Sequence, residues 1–343
     1  MTERLGLAVV GLGMAAKPHA LALKDLEDLI DVRGCYARSA EARAAFCNTY
    51  GLPEARDVNA LAHDPSVDAV LVITPPNARQ DLIALFAGQK KHILTEKPLE
   101  RTMQAAEGLV DLCAASDVFL GVVFQHRFRA ASQILAKMLH DGDLGAIRVV
   151  RAEVPWWRDQ SYYDEPGRGS YARDGGGVLI SQAIHTLDLM LSMTGPVANV
   201  QALCATTPFH RMEAEDFAAG AMEFENGAVG AIFASTASFP GDAESLSFDC
   251  DKGSALLKSG VLTVNWRDGR VEVFGDEAAT GGGADPMAFP YDWHKSLIAD
   301  FAVSVRAGRP PGCTGAEALH VHRLIAAIEA SSREGKKQQV VKG

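Results

Sequence analysis

"LGLAVVGLGMAA", residues 5–16, is the stretch on which the fold turns. Its first six residues form a short apolar run with no polar alternation, which predicts a strand buried on both faces. Gly11-x-Gly13-x-x-Ala16 follows at once, and "KPHALALKDL" continues with helical periodicity. Strand, glycine turn and helix in this order fit a dinucleotide-binding loop. Gly11 would permit the tight turn, Gly13 would let the backbone approach a pyrophosphate, and Ala16 would allow close packing of helix on sheet. The helix N-terminus would then face the phosphates. Gly11, Leu12, Gly13, Met14 and Ala15 are the expected loop residues.

Further along the first 125 residues, the same alternation recurs. Apolar runs such as "DVRGCYA" and "VDAVLVITPP" are separated by helical patterns such as "SAEARAAFCNTYG". That pattern predicts β-α-β units and a doubly wound parallel sheet. An acid that binds ribose hydroxyls should close the second strand. Ala37 stands there instead, followed by Arg38 and Ser39. An arginine with a hydroxyl suits a 2′-phosphate, so NADP is favoured over NAD. Arg38 stacking on adenine in either cofactor is the alternative. "TEKP" at 95–98 ends a strand that the reading numbers fifth, at the ligand-binding edge of the sheet. Lys97 there could stabilise a developing alkoxide, with Glu96 holding its orientation; a surface ion pair is the plain alternative.

After Phe128 the pattern changes. From about residue 197 to 275, strands are joined by "ENG" at 225–227, "DKG" at 251–253 and "RDG" at 267–269. Such dipeptides supply the positive φ of hairpin turns, so a largely antiparallel meander is expected. A Gly-rich loop, "TGGGAD" at 280–285, and two helices close the chain. The division predicted is a Rossmann domain over 1–125 and a substrate-binding and oligomerisation α/β domain over 126–343. Its sheet would have a face that needs covering if apolar.

"GGGVLISQAIHTLDLM" at 175–190 reads as three glycines entering an apolar helix. Ser181, His185, Asp188 and Ser192 follow helical spacing and make a polar stripe. Asp188, one turn after His185, could orient the imidazole for general base work. A core histidine and a two-ligand metal site remain alternatives.

The 343 residues suffice for two domains, 48% are hydrophobic and 22% charged, which excludes disorder. A formal charge of −10 disfavours nucleic acid and anionic membranes as partners. No run reaches the roughly 20 apolar residues of a membrane span. The six cysteines are scattered without C-x-x-C, so reduced thiols and a cytoplasmic setting are expected. No metal site is expected; "HVH" at 320–322 sits on a helix, where i and i+2 point apart.

With these residues in hand, the chain resembles the glucose-fructose oxidoreductase / inositol dehydrogenase family, often called Gfo/Idh/MocA. The likeness covers almost the whole chain. It rests on the Gly11-x-Gly13 loop, "TPPN" at 74–77, "EKP" at 96–98, "QHRF" at 125–128, "GDLGAI" at 142–147, "GGGVLISQAIHTLD" at 175–188 and "DF" at 300–301. It implies a Rossmann domain plus an α/β domain with a large, open, mostly antiparallel sheet. It implies NAD(P)-dependent hydride transfer at a carbinol or carbonyl carbon of a sugar, polyol or related ring. It further implies Lys97 as active-site lysine and His185 as acid/base, with Thr74, Pro75, Asn77, Glu96 and Gln125 along the nicotinamide half. "PWWRD" at 155–159 is similar to a loop that brings Trp157 and Arg158 to cofactor or substrate; Tyr163 and Tyr291 are further candidates. The chain departs from the family where Ser181 and Ala183 replace a frequent Asp and Gly, and where Arg79 replaces a frequent His. A homodimer or homotetramer is expected. Two other activities fit the same fold: a glycosidase or lyase that uses bound NAD transiently, and a non-catalytic NAD(P)-binding regulator.

Overall fold

The computed structural model describes residues 4–282 and 289–341, so the Gly-rich loop read at 280–285 lies outside the described residues from 283 onward. The chain divides into two compact units: Met1–Gln125 with Tyr291–Leu319, and His126–Pro290 with His320–Gly343.

In the first unit, β1 (Leu5–Val10), β2 (Ile30–Tyr36), β3 (Ala69–Val72), β4 (His92–Thr95) and β5 (Leu120–Val122) form a parallel sheet in the order β2-β1-β3-β4-β5. All six residues of β1 are buried, as the non-alternating sequence predicts. Helices α1 (Ala16–Asp25), α2 (Ala40–Tyr50), α3 (Val58–His63), α4 (Gln80–Gly88) and α5 (Met103–Ala115) connect the strands. The strand order reverses between β2 and β3, which both flank β1. That switch point opens a crevice at the carboxyl ends of the strands. The strand leading into Glu96-Lys97 is the fourth, one place earlier than the sequence reading numbers it.

The second unit begins with α6 (Ala130–His140), β6 (Ile147–Pro155) and α7 (Gln160–Tyr163). A π-helical turn, Leu179–Ala183, then runs into α8 (Ile184–Thr194). Next come β7 (Val197–Ala205), β8 (Phe217–Phe224), β9 (Val229–Ser235), β10 (Ser245–Cys250), β11 (Gly253–Lys258), β12 (Val261–Trp266) and β13 (Val271–Phe274). The three Asn-Gly, Lys-Gly and Asp-Gly turns read from sequence join β8 to β9, β10 to β11 and β12 to β13, each pair antiparallel. The nine-stranded sheet has the order β13-β12-β11-β10-β6-β9-β8-β7-β14, where β14 is Gln338–Gln339. Only β6 and β9 pair in parallel. One face is core: Val150, Ala152, Val154, Leu246, Phe248, Leu262 and Val264 are buried. Register assigns the other face. Leu203 pairs through Ala219 to Phe233, which neighbours Glu153, then Ser245, then Lys258. Leu256, two residues from Lys258, pairs through Thr263 to Val273. Leu203, Val229, Leu256, Val271 and Val273 therefore share one face, and they are 60, 50, 39, 61 and 62% exposed.

The last two helices are α9 (Asp292–Arg306) and α10 (Gly315–Glu334). The sequence-based division puts all of 126–343 in the second domain, whereas α9 belongs to the first unit. It packs on α1 and is tied there by Asp25, whose Oδ2 accepts from Lys295 Nζ and Tyr291 Oη, each at 3.0 Å. Tyr291, proposed from the resemblance as a cofactor or substrate contact, makes this link to α1.

Candidate active site

The switch point of the first unit holds a cavity of about 560 Å³, within the range of ligand sites. Its walls include Gly11, Leu12, Gly13, Ala37, Arg38, Thr74, Pro75 and Asn77, all expected from sequence, and also Tyr36, Glu100 and Arg101, which were not. Met14, Ala15, Ser39 and Gln125 stand outside this lining, as do Glu96 and Lys97. Gly11 has φ +100°, and a Cβ on it would come within 2.7 Å of the Thr74 amide nitrogen, so only glycine lets β1 and β3 close here. A Cβ on Gly13 would meet no protein atom within 4 Å, which leaves its backbone approachable. Thr74 Oγ1 and Gln125 Oε1 are buried with no hydrogen-bond partner among the described residues, two polar atoms suited to a bound group. These features fit a dinucleotide. Arg38 is exposed, and Ser39 is engaged: its hydroxyl caps α2 by accepting from Ala42 N at 3.1 Å and donates to Glu41 at 2.9 Å. Ser39 is thus a helix cap first.

Beyond β4, the turn that carries Lys97 is gripped from behind. Arg79 is 2% exposed, and its guanidinium donates to the carbonyls of Thr74 (2.8 Å), Glu96, Lys97 (3.4 Å) and Pro98. Burial pushes its pKa down to about 10, against the pull of Glu96 and Glu100. Where the family often has His, this arginine ties the ends of β3 and β4 together. Glu96 faces inward. Its Oε1 bonds His19 Nε2 at 2.8 Å, and Oε2 accepts from the Lys97 amide at 3.1 Å. Burial alone would raise the Glu96 carboxyl, but the hydrogen bond and charge of His19 and the charge of Lys97 hold it at about 2. Its expected place along the nicotinamide thus becomes an anionic anchor beneath Lys97. Lys97 itself is half-buried. His294 of α9 meets His19 edge to face, with ring centroids 4.9 Å apart. Burial, with His19 next, pushes His294 down to about 3. His19, Glu96 and His294 bring three metal-ligand atoms within 4.8 Å of one another, a cluster the expectation of no metal does not foresee. The direct His19–Glu96 bond and the charge of Lys97 both oppose a cation there.

In the second unit, the entrance to α8 is built by a distant residue. A Cβ on Gly177 would lie 1.8 Å from the Glu215 carbonyl oxygen. The Glu215 carboxylate accepts from Gly177 N at 3.1 Å and Leu179 N at 3.0 Å, satisfying amides that a helix start leaves open. A close approach of backbone to backbone is therefore real at Gly177. The expected uniform helix is not: the π turn Leu179–Ala183 widens the register just before His185, a feature frequent at functional sites. Ser181 sits within that turn.

His185 is 7% exposed and stacks on His126, with ring centroids 4.8 Å apart and planes 26° from parallel. Asp188, expected to orient the imidazole, gives both carboxylate oxygens to Arg127, at 2.7 and 2.6 Å. A bidentate pair of this kind sets the carboxylate's geometry first. Behind it, Arg129 Nη1 donates to Glu244 at 2.7 Å, and Nη2 meets His126 Nε2 at 2.6 Å. The "QHRF" motif marks this place in sequence, where the resemblance points to Gln125 and the structure adds His126 and Arg127.

The aromatic loop gives a mixed result. Trp157 is half-buried, bonds Asp159 through Nε1 at 3.2 Å, and meets the exposed rings of Phe209 and Phe239 edge on. Arg158 is 3% exposed and donates to Trp157 O and Gly281 O, each at 2.7 Å. Those bonds make it a brace for the loop. Tyr163 is buried and shares a 2.6 Å hydrogen bond with Thr236, and burial pushes its phenol up.

Comparison with known proteins identifies the family. Residues 5–124 match the oxidoreductase family with NAD-binding Rossmann fold, and residues 132–256 match the GFO/IDH/MocA C-terminal domain. A myo-inositol 2-dehydrogenase of Thermotoga maritima is 27% identical over 321 residues, 90% of each chain. A WlbA dehydrogenase of Bordetella pertussis, solved with NADH and UDP-GlcNAcA, is 26% identical over 99% of this chain and all of that one, with a TM-score of 0.84. Levoglucosan dehydrogenase, at 21% identity over 99% of this chain and all of that one, shares the fold with a TM-score of 0.87. No helix among the described residues is long and apolar enough to cross a membrane. The chain belongs to the Gfo/Idh/MocA family of NAD-binding oxidoreductases.

Proposed function

We propose that this enzyme oxidises or reduces a carbinol or carbonyl carbon of a sugar, polyol or related ring, with Lys97 and His185 as its catalytic residues. The observation that carries the reading is the 560 Å³ cavity at the switch point, walled by Gly11, Gly13, Thr74 and Asn77. A bound nicotinamide supplies the hydride acceptor or donor. His185 takes the hydroxyl proton in oxidation and returns it in reduction. Lys97, at the end of β4 and anchored through Glu96 and Arg79, hydrogen-bonds the substrate oxygen and stabilises its developing charge. Asp188 acts through Arg127 to hold the segment that supports His185. Ser181, in the π turn, is read as a substrate-facing residue, and Trp157 as an aromatic wall. The sugar class is supported by the names of the dehydrogenases that the chain resembles.

NADP is the preferred cofactor in this reading, because Ala37 leaves no acid for the ribose and Arg38 lines the cavity. Phosphate recognition rests on Arg38, since Ser39 caps α2. The apolar exposed face of the large sheet supports a homodimer or homotetramer. The six cysteines, all free thiols, suit a cytoplasmic setting. A panel of sugars, inositols and sugar acids, followed at the nicotinamide absorbance with NAD and NADP, tests the whole. Stoichiometric net turnover supports the dehydrogenase. Product without net cofactor change would replace it with the redox-assisted hydrolase or lyase, and binding without turnover with the regulator.

A further inference from the structure

We propose that Arg129 is a positioning residue that locks His126 as a neutral, Nδ1-protonated ring against the face of His185. The inference rests on the acid/base reading of His185 for its purpose, and on hydrogen-bond geometry for its substance. A guanidinium carries donors only. The 2.6 Å contact between Arg129 Nη2 and His126 Nε2 therefore makes that ring nitrogen the acceptor. An accepting Nε2 holds no proton, so the proton of the neutral ring is on Nδ1. Protonating Nε2 would place an N–H against an N–H and break the bond. Arg129 is kept in place by Glu244, and all three residues are buried, at 4, 7 and 4% exposure for His126, Arg129 and Glu244. Burial lowers the Arg129 pKa from its very high ordinary value, Glu244 opposes that fall by charge and hydrogen bond, and a guanidinium stays charged in proteins.

The charges around the two rings come from every element packed there. Arg127 and Arg129 lie on the segment that carries His126. Asp188 lies on α8 and balances Arg127, Glu244 precedes β10 and balances Arg129, and Lys258 of β11 lines the adjoining space. That space is a cavity of about 20 Å³, room for a water and nothing larger. Each arginine is paired, and Lys258 is paired with Asp242 at 2.6 Å, so a protonated His126 would add a cation against the face of His185. Two stacked imidazoles that can both titrate would share their protons in coupled steps. The Arg129 lock removes one of them. His185 is then left as the single ring that gains and loses a proton, resting on a neutral π face.

The test is nitrogen NMR of protein labelled at histidine, with His126 assigned by its loss in His126→Gln. The expected result is one neutral Nδ1–H tautomer from pH about 8 down to about 5.5, below the usual histidine midpoint of ~6.5. In Arg129→Met/Glu244→Gln, which removes one charge of each sign, His126 should titrate in the ordinary range. Turnover should fall about tenfold with KM within about twofold, and the acid limb of the pH profile should steepen from one proton to two. Glu244→Gln alone should keep the tautomer. An Nε2–H tautomer in the wild type, or ordinary titration of His126 there, overturns the proposal, and this reading stands even where the double variant does not fold. A locked His126 beside full activity in His185→Ala would keep the lock and overturn the proposed function instead.

Discussion

The two units place chemistry in different ways. In the first, the proposed site residues sit at strand ends: Gly11 and Gly13 after β1, Arg38 after β2, Thr74 after β3 and Lys97 after β4. A parallel sheet does this by topology, since every strand delivers its carboxyl end to one edge. In the second, His185 lies within a helix, and its surroundings are assembled from afar: Glu215 at the helix entrance, Arg127 on Asp188, and Arg129 with Glu244 behind His126. In the first arrangement the backbone does most of the placing, and Gly11 is fixed by the close approach of β1 to β3. The second depends on matched pairs, so its failures should be structural as well as chemical.

The sharpest break should come at Gly177. Gly177→Ala sets a methyl 1.8 Å from a backbone oxygen that cannot yield. Destabilisation of about 4 kcal/mol or more is expected, read as lost soluble yield and lost cooperative unfolding. Unchanged melting would show that the second unit is less tightly specified than its contacts imply.

His185→Ala and Lys97→Ala compare the units in chemistry. Removing His185 should lower turnover about 10²–10⁴-fold and erase an imidazole-range ionisation from the alcohol-oxidation profile. Removing Lys97 should depress kcat strongly with cofactor affinity nearly intact. Wild-type turnover in either variant would mean that the residue is misassigned. Asp188→Asn comes next. Loss of one partner from a buried bidentate pair typically costs about 3–5 kcal/mol, so melting should shift more than the activity of the surviving folded protein. A large activity loss at unchanged stability would instead return Asp188 to a direct role on the imidazole.

Arg38→Ala should weaken NADP binding about tenfold or more and leave NAD nearly unchanged, because a charge-assisted phosphate contact is worth about 1.5–3 kcal/mol. Equal losses for both would reduce Arg38 to a stacking surface. A stability effect belongs to Glu329. Burial, with the nearby charge of Glu215, pushes its carboxyl up to about 7. The folded state then binds a proton more tightly than the unfolded chain, so stability should fall as pH rises from the ordinary glutamate range to about 7 and level off above. Glu329→Gln should remove that slope and raise the melting point at pH 8 by about 2–4 °C for each ~1 kcal/mol recovered. A slope that survives the substitution would move its origin elsewhere.

Local chemistry made much of this legible. Hairpin turns at 225–227 and 267–269, where Gly227 and Gly269 have positive φ, the loop at 11–16 and the parallel sheet follow from φ requirements and buried apolar runs within a few residues; the turn at 251–253 forms without a positive φ at Gly253. What stayed hidden depends on geometry across the chain. A period of 3.6 laid over 179–191 cannot reveal the π turn. Asp188 takes a partner 61 residues back, Arg127, which helical spacing does not show. Ser39 looked like a phosphate ligand because cap and ligand use the same hydroxyl. His19, Glu96 and His294 carry no common spacing, since α9 returns to the first unit only at the end.

That return also bears on the order of folding during synthesis. A ribosome that has delivered residues 1–125 has supplied β1 to β5 but not α9. His19 and Glu96 then lack the ring of His294, and Asp25 lacks Lys295. The strands β6 to β13 all emerge before those partners do. Domains generally fold as units, the N-terminal one first, but here the cofactor half is begun first and completed late. Its early form is one that translation must carry, with the α1 surface waiting for its cover, while the large sheet is being made.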